Sequence, residues 1–260
     1  MDAFQRASSG LRSRLLVPGL MVAAVALAWG LFSPVFSFLL AGICPQRPSH
    51  SLFIGDEPMP LEARMLGIYG GATVAFTCLM ILRDRVPAQT LPLRVLGIIP
   101  IGLLITGLDG GNAFLSDLGM PHPYPPVNQL RFLTGTLAGM SVGVMVLPFI
   151  ALFSTPRYYG DGRWRRVLGW LLAVEGVFVA MVFSGVDALV MVALAVAIAG
   201  IIGLFWVTTG LVLAWIVRHL RPPIRLGAVL PLSLCLAFAE LALLALLRTW
   251  LQDQLGVVWL

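Results

Sequence analysis

Residues 188–217, ALVMVALAVAIAGIIGLFWVTTGLVLAWIV, contain no charged side chain and no proline. A helix rising 1.5 Å per residue crosses a hydrocarbon core of about 30 Å in roughly 20 residues. This stretch is therefore long enough to span a bilayer and to tilt or project beyond it. Six further apolar stretches of spanning kind lie at 15–43, 61–82, 91–108, 129–153, 167–183 and 226–247. The whole chain agrees: it is 59% hydrophobic and 11% charged, with a mean hydropathy of +0.94. Soluble domains run near half apolar and about a quarter charged. The polar connections are too short for a separate soluble domain of the usual ~50 residues or more. The expected fold is an all-α, polytopic transmembrane helical bundle of about seven spans.

All 17 basic residues are arginine. Seven spans put alternate connections on opposite sides, so arginine placement tests the assignment independently of hydropathy. Thirteen fall on the amino-terminal side (Arg6, Arg12, Arg14, Arg83, Arg85, Arg94, Arg157, Arg163, Arg165, Arg166, Arg218, Arg221 and Arg225) and four on the other (Arg47, Arg64, Arg131 and Arg248). The amino terminus is expected to be cytoplasmic and the carboxyl terminus extracytoplasmic. The first apolar stretch is nearly twice the 7–15 residues of a secretory h-region, and Ile43 stands where a lipoprotein signal wants a small residue before the cysteine, so it is expected to be a retained span. The two longest connections, 44–60 and 110–128, are proline-rich and lie outside in this arrangement.

Cys78 and Cys235 fall within spans and Cys44 at an aqueous edge, which offers no disulfide framework. No histidine lies inside a span, so a buried bis-histidine haem has no ligands. Neither a haem-attachment nor a phosphate-binding loop motif occurs. Cys44, His50, His122 and Asp109 form a weak candidate metal set on the outer face, without diagnostic spacing. No cofactor is expected.

Polar residues inside spans are costly and therefore informative. Arg64 shares a helix face with Gly67 and Gly71. Arg131 leads into Gly135, Gly139 and Gly143, and Asp109 ends the third span beside Gly107 and Gly111. Small residues four apart let helices approach closely in lipid, so these three faces are expected to pack together and to bring Arg64, Asp109 and Arg131 to one depth. Such a cluster suits a bidentate phosphate or carboxylate. The alternative is a purely architectural salt-bridge cluster completed by Glu62. Asn112 and Asn128 either cap helix ends or bind a polar group. Glu175 and Glu240, mid-span and without basic neighbours, are expected to be protonated and hydrogen-bonded, or else to mark an ion pathway. Trp164, Trp170, Trp250 and Trp259 read as interfacial anchors.

The series Cys44-Pro-Gln46-Arg47-Pro-Ser-His-Ser51, Gly55, Pro60-Leu-Glu-Ala-Arg64, Gly67-Ile-Tyr69-Gly70, Asp109-Gly110, Asn128, Arg131 and Thr134-Gly135 resembles an uncharacterised family of predicted membrane proteins, domain of unknown function 2085, over about residues 40–150. The resemblance implies a four-helix membrane unit over 15–154 with two external proline-rich loops. A cytoplasmic segment, 1–14, precedes it and three additional transmembrane helices, 155–260, follow. Pro45, Glu62 and Met65 stand where the family has His, Cys and Cys. Any metal or thiol chemistry resting on those positions is therefore largely lost from this chain. Arg64, Tyr69, Asp109, Asn128 and Arg131 are retained.

Three functions follow in order. The first is a non-catalytic accessory or structural subunit, or a polar-headgroup binder, using the outer Arg/Asp cluster. The second is a membrane hydrolase or transferase acting on a lipid-linked phosphate or acyl group, with Asp109 as base and the two arginines stabilising the oxyanion. The third is an ion-coupled transporter using Glu175 and Glu240. Membrane lipids are the expected partners, together with a larger membrane complex; nucleic acid is not.

Overall fold

The computed structural model describes residues 34–82, 93–151, 164–219 and 226–255. The segment 1–14, most of the first apolar stretch and most of the thirteen arginines on its side lie outside these residues, as does Trp259. The described chain is mostly helical: α1 (Pro34–Ala41), a 3-10 turn (Pro48–His50), a two-stranded hairpin of β1 (Ser51–Ile54) and β2 (Glu57–Glu62), then α2 (Ala63–Ile81), α3 (Leu93–Asp117), α4 (Asn128–Ala151), α5 (Trp164–Phe183), α6 (Asp187–His219) and α7 (Leu226–Leu255). Among the described residues, five helical segments are long and apolar enough to cross a membrane: Ala63–Ile81, Ile99–Asp117, Trp164–Phe183, Asp187–Val217 and Pro231–Leu255. This is a multi-pass membrane protein. Its outward faces carry exposed Leu172, Val177, Leu243, Leu246, Leu247 and Trp250, a pattern that suits lipid contact.

The glycine stripes set the packing. A Cβ on Gly67 would meet the Thr136 backbone nitrogen at 2.7 Å, one on Gly139 the Ala72 nitrogen at 2.8 Å, and one on Gly143 the Ala72 oxygen at 2.7 Å. Backbone thus lies on backbone along α2 and α4, as small-residue stripes allow. The third helix departs from expectation. It reaches α4 through Gly102, whose Cβ would lie 2.8 Å from the Leu137 oxygen, whereas Gly107 and Gly111 face open space. It also runs two turns past Asp109 to Asp117, so Gly110, Gly111 and Asn112 are helical and the connection shrinks to 118–127. Side-chain anchors hold this extension, described below, and override the low helix propensity of its glycines.

Within the connection 44–60, the hairpin is a second departure. β1 and β2 pair antiparallel through Ile54 opposite Glu57 and Ser51 opposite Glu62, and Gly55 turns the chain at a φ of 58°. Pro58 and Pro60 are tolerated because two strands leave outer edges with no ladder partner. The main core joins Leu61, Leu66, Phe132, Phe178, Leu194, Ile198 and Leu241. Phe132 of α4 lies 5.8 Å from Phe178 and, edge-on, 5.4 Å from Phe183 of α5. Trp164, expected at the membrane interface, is instead buried beside Val167 and Leu171, where its large apolar body fills the start of α5. Trp170 and Trp250 are exposed.

Candidate functional site

The carboxyl ends of α1, α3 and α7, the hairpin, and the amino ends of α2 and α4 meet at one end of the bundle. Arg248 of α7 donates through Nη1 to the Ala41 and Cys44 carbonyls at 2.6 and 2.7 Å, and through Nη2 to that of Pro45 at 3.1 Å. The bond to Ala41 satisfies a carbonyl that α1 leaves open as it ends, and the other two hold the segment that follows it. Gln46 takes a left-handed φ of 59°, costly for a residue with a side chain. Its amide holds that conformation by donating to the Ser37 and Pro60 carbonyls at 2.9 and 3.0 Å. Asn128, opening α4, donates to the carbonyls of Ser49 and Ser51 at 3.1 and 3.0 Å. The hairpin is thereby fixed over the helix ends.

Beneath it is a cavity of about 250 Å³ lined by Arg47, His50, Glu62, Arg64, Gly110, Ala113, Phe114, Asp117 and Arg131. Arg64 Nη2 donates to Asp109 Oδ2 at 2.7 Å, while Arg64 Nε is buried without a hydrogen-bond partner. Asp109, 3% exposed, also accepts from the Tyr124 hydroxyl at 2.9 Å and the Thr134 hydroxyl at 3.1 Å. Arg47 pairs with two carboxylates, Glu62 at 3.1 Å and Asp117 at 3.0 Å. Arg131 differs from both other arginines. It is 6% exposed, its described partner is the neutral Asn128 Oδ1 at 2.8 Å, and among the described residues no carboxylate lies within ion-pairing distance.

Burial opposes ionisation of Glu62, but the nearby His50 ring, 3.8 Å away, and the hydrogen bonds and positive charge of Arg47 outweigh it and hold the carboxyl at about 2. A depressed carboxyl value stabilises the fold fully above its unfolded value near ~4.5, and that stability is lost as pH falls through about 2. The contribution is of order 3 kcal/mol. Thermal unfolding in detergent should therefore show a midpoint falling between about pH 4.5 and 2, and Glu62→Gln should flatten that slope. An unchanged slope in the variant would remove Glu62 as its source. Burial pushes the Cys44 thiol up to about 11, leaving it neutral and a poor nucleophile near pH 7. Burial, then the bond to Asp109, raises the Tyr124 phenol.

The structure pairs Arg64 with Asp109 and places Arg64 and Arg131 on one cavity, with Asn128 holding Arg131. Asn112 instead pins the connection: its Nδ2 donates to the Tyr124 carbonyl at 2.9 Å and its Oδ1 accepts from the Tyr124 amide at 3.3 Å. Tyr69 is half-buried against the hydrophobic core and is not among the cavity's lining residues. Glu240 accepts from the Thr209 hydroxyl at 2.9 Å. Glu175, in contrast to the expected hydrogen bonding, is buried with neither carboxyl oxygen partnered. His122 is exposed, with Nδ1 3.0 Å from the Met120 carbonyl. Cys44 is buried rather than at a wet edge, and its Sγ accepts from the Glu62 amide at 3.3 Å. Among the described residues no group of three or more His, Cys, Asp or Glu side chains is placed to hold a metal ion. Sequence reasoning missed Arg47, Asp117 and Tyr124 as members of the cluster. The signal for Asp117 was weak, since it stood in what read as a loop.

The model of a family described as predicted membrane protein (DUF2085) matches residues 44–145, the segment that builds the hairpin, α2, α3 and most of α4. An uncharacterized protein of Methanocaldococcus jannaschii is 28% identical over 124 residues, covering 46% of this chain and 71% of that protein. No solved structure matches. The thiol contact between Cys44 and the backbone of residue 62 falls inside the matched segment, and Glu62 stands there as an ion-pair partner of Arg47.

Proposed function

We propose that this is a non-catalytic protein of a prokaryotic plasma membrane whose arginine-lined cavity, on the extracytoplasmic side, holds the anionic headgroup of a membrane lipid or of a partner-bound ligand. One observation carries the reading: Arg131 is a buried cation facing a cavity with a neutral partner. A buried charge without a counterion is costly, and an anion supplied from outside relieves that cost. Arg64 adds a buried, unpartnered Nε nearby. The division of thirteen arginines against four supports the assignment of side. Asp109 suits architecture better than base catalysis, because Arg64, Tyr124 and Thr134 already donate to it.

The test is native mass spectrometry of protein extracted in mild detergent and supplied with phosphatidylglycerol. Wild type should retain the lipid. Arg131→Gln should lower its affinity about tenfold or more, as expected for the loss of a charge-assisted bond. Equal retention by the variant, or none by wild type, would sink the reading.

A further inference from the structure

His50 is 8% exposed, and both of its ring nitrogens face carboxylates. Nε2 lies 3.3 Å from Asp117 Oδ1, and Nδ1 lies 3.8 Å from Glu62 Oε2. A neutral imidazole has one N–H and can donate toward one of them; the imidazolium donates toward both. The same two carboxylates share one guanidinium, Arg47. One wall of the cavity is thus a ring of two anions, one cation and one titratable imidazole.

Charge bookkeeping follows from these pairings. With His50 neutral, the three arginines Arg47, Arg64 and Arg131 and the three carboxylates Glu62, Asp109 and Asp117 sum to zero although none of the carboxylates pairs with Arg131, and an entering anion leaves the pocket net negative. With His50 protonated, the ring closes on itself, Arg64 stays with Asp109, and the charge of Arg131 is left for the ligand. The groups around His50 come from every packed element: Arg47 from the turn, Glu62 from β2, Arg64 from α2, Asp117 from α3 and Arg131 from α4. Histidine is the side chain whose charge changes between about pH 5 and 8.

We propose that the cavity takes up a phosphate- or sulfate-type oxyanion together with one proton, and that the proton resides on His50 between Glu62 and Asp117. The proposal rests on the anion-binding reading above and adds to it the ligand's chemical class and its control by pH. At about 250 Å³, the space equals roughly eight waters at ~30 Å³ each. That accommodates an oxyanion with a small substituent and leaves acyl chains outside.

The experiment is calorimetric titration of the full chain in detergent with sodium sulfate and, separately, with glycerophosphoglycerol. Both keep a constant charge from pH 5.5 to 8, so the ligand does not contribute its own titration. Affinity should weaken by about tenfold or more across that range, approaching tenfold per pH unit where one proton is linked. At pH 7, repeating the titration in buffers of different ionisation enthalpy should show net proton uptake on binding. His50→Gln should bind weakly and without pH dependence. Wild-type binding that is pH-independent and takes up no proton overturns this proposal while leaving the anion-binding reading intact. No binding of either anion at any pH overturns both. A His50→Gln variant with the wild-type pH profile moves the proton elsewhere and also overturns it. Displacement of bound sulfate by phosphatidylglycerol in mixed micelles marks a lipid headgroup as the occupant, and failure to displace it marks a free oxyanion; either agrees with proton-linked uptake.

Discussion

Gly139→Leu is expected to lower the thermal unfolding midpoint of the protein sharply, whereas Gly107→Leu leaves it close to wild type. A Cβ at Gly139 meets the Ile68 carbonyl oxygen in close contact and the Ala72 nitrogen at 2.8 Å, both backbone atoms of α2. Backbone cannot change rotamer, so α2 and α4 must part along their whole seam. Overpacking of a fitted interior costs about 1–3 kcal/mol and sometimes more. Here the added isobutyl group has no space on its own side and removes the close approach that orders the seam. The loss should exceed about 3 kcal/mol, a large part of the 5–15 kcal/mol typical of folded domains. Gly107 has nothing within 4 Å of its Cβ position, so the same substitution there adds apolar surface to a face open to lipid. Tryptophan-monitored thermal unfolding and size-exclusion profiles of the two variants in one detergent make the comparison. Equal midpoints would refute the account of the seam. The cavity should fail with the seam, because Arg64 and Arg131 stand on these two helices within three turns of the contact.

The α2–α4 seam was legible in the sequence because glycines spaced by four carry a direct geometric meaning for helices in lipid. Hydropathy likewise located the helices, since the cost of an exposed backbone in hydrocarbon leaves few alternatives. Helix ends were less legible. α3 continues to Asp117 because Asn112 and Tyr124 tie it to the following connection, contacts made across twelve residues that no local window contains. The same extension carries Asp117 back over the hairpin to Arg47, seventy residues away. The hairpin itself carries a local signal: Ser51-Leu-Phe-Ile, then Gly55-Asp56, is a short strand followed by a two-residue turn with glycine first. Arg64 and Arg131 could be brought together from sequence because glycines mark the packed faces of α2 and α4, whereas Asp109 reaches Arg64 from a helix whose Gly107 and Gly111 face open space. That Arg131 would be left with an amide could not be read there, since the outcome depends on Arg47, Glu62 and Asp117 satisfying one another first.

Asp109→Ala should destabilise the protein by about 3–5 kcal/mol, the usual cost of stranding one partner of a buried ion pair. The Arg64 guanidinium would lose its 2.7 Å partner while its Nε already lacks one, and the Tyr124 hydroxyl would lose its bond into the cavity wall. The paired variant Arg64→Met, Asp109→Leu should recover most of that loss, because replacing both members of a buried pair with apolar groups of similar size is often neutral or stabilising. Thr134 tolerates the change, since its hydroxyl also donates to the Leu130 carbonyl at 3.0 Å. Stability measurements of Arg64→Met alone, Asp109→Leu alone and the paired variant complete a double-mutant cycle that separates the pair's coupling from the cost of burying each group. Sulfate titration of the paired variant then assigns Arg64. If Asp109 neutralises Arg64 and Arg131 alone carries the ligand's charge, affinity stays within about threefold of wild type. If Arg64 Nε reaches the anion, affinity drops about tenfold or more despite recovered stability, as for the loss of a charge-assisted hydrogen bond. Failure of the paired variant to regain stability would overturn the architectural role of the pair, because the uncompensated charge would then not be what Asp109→Ala exposes.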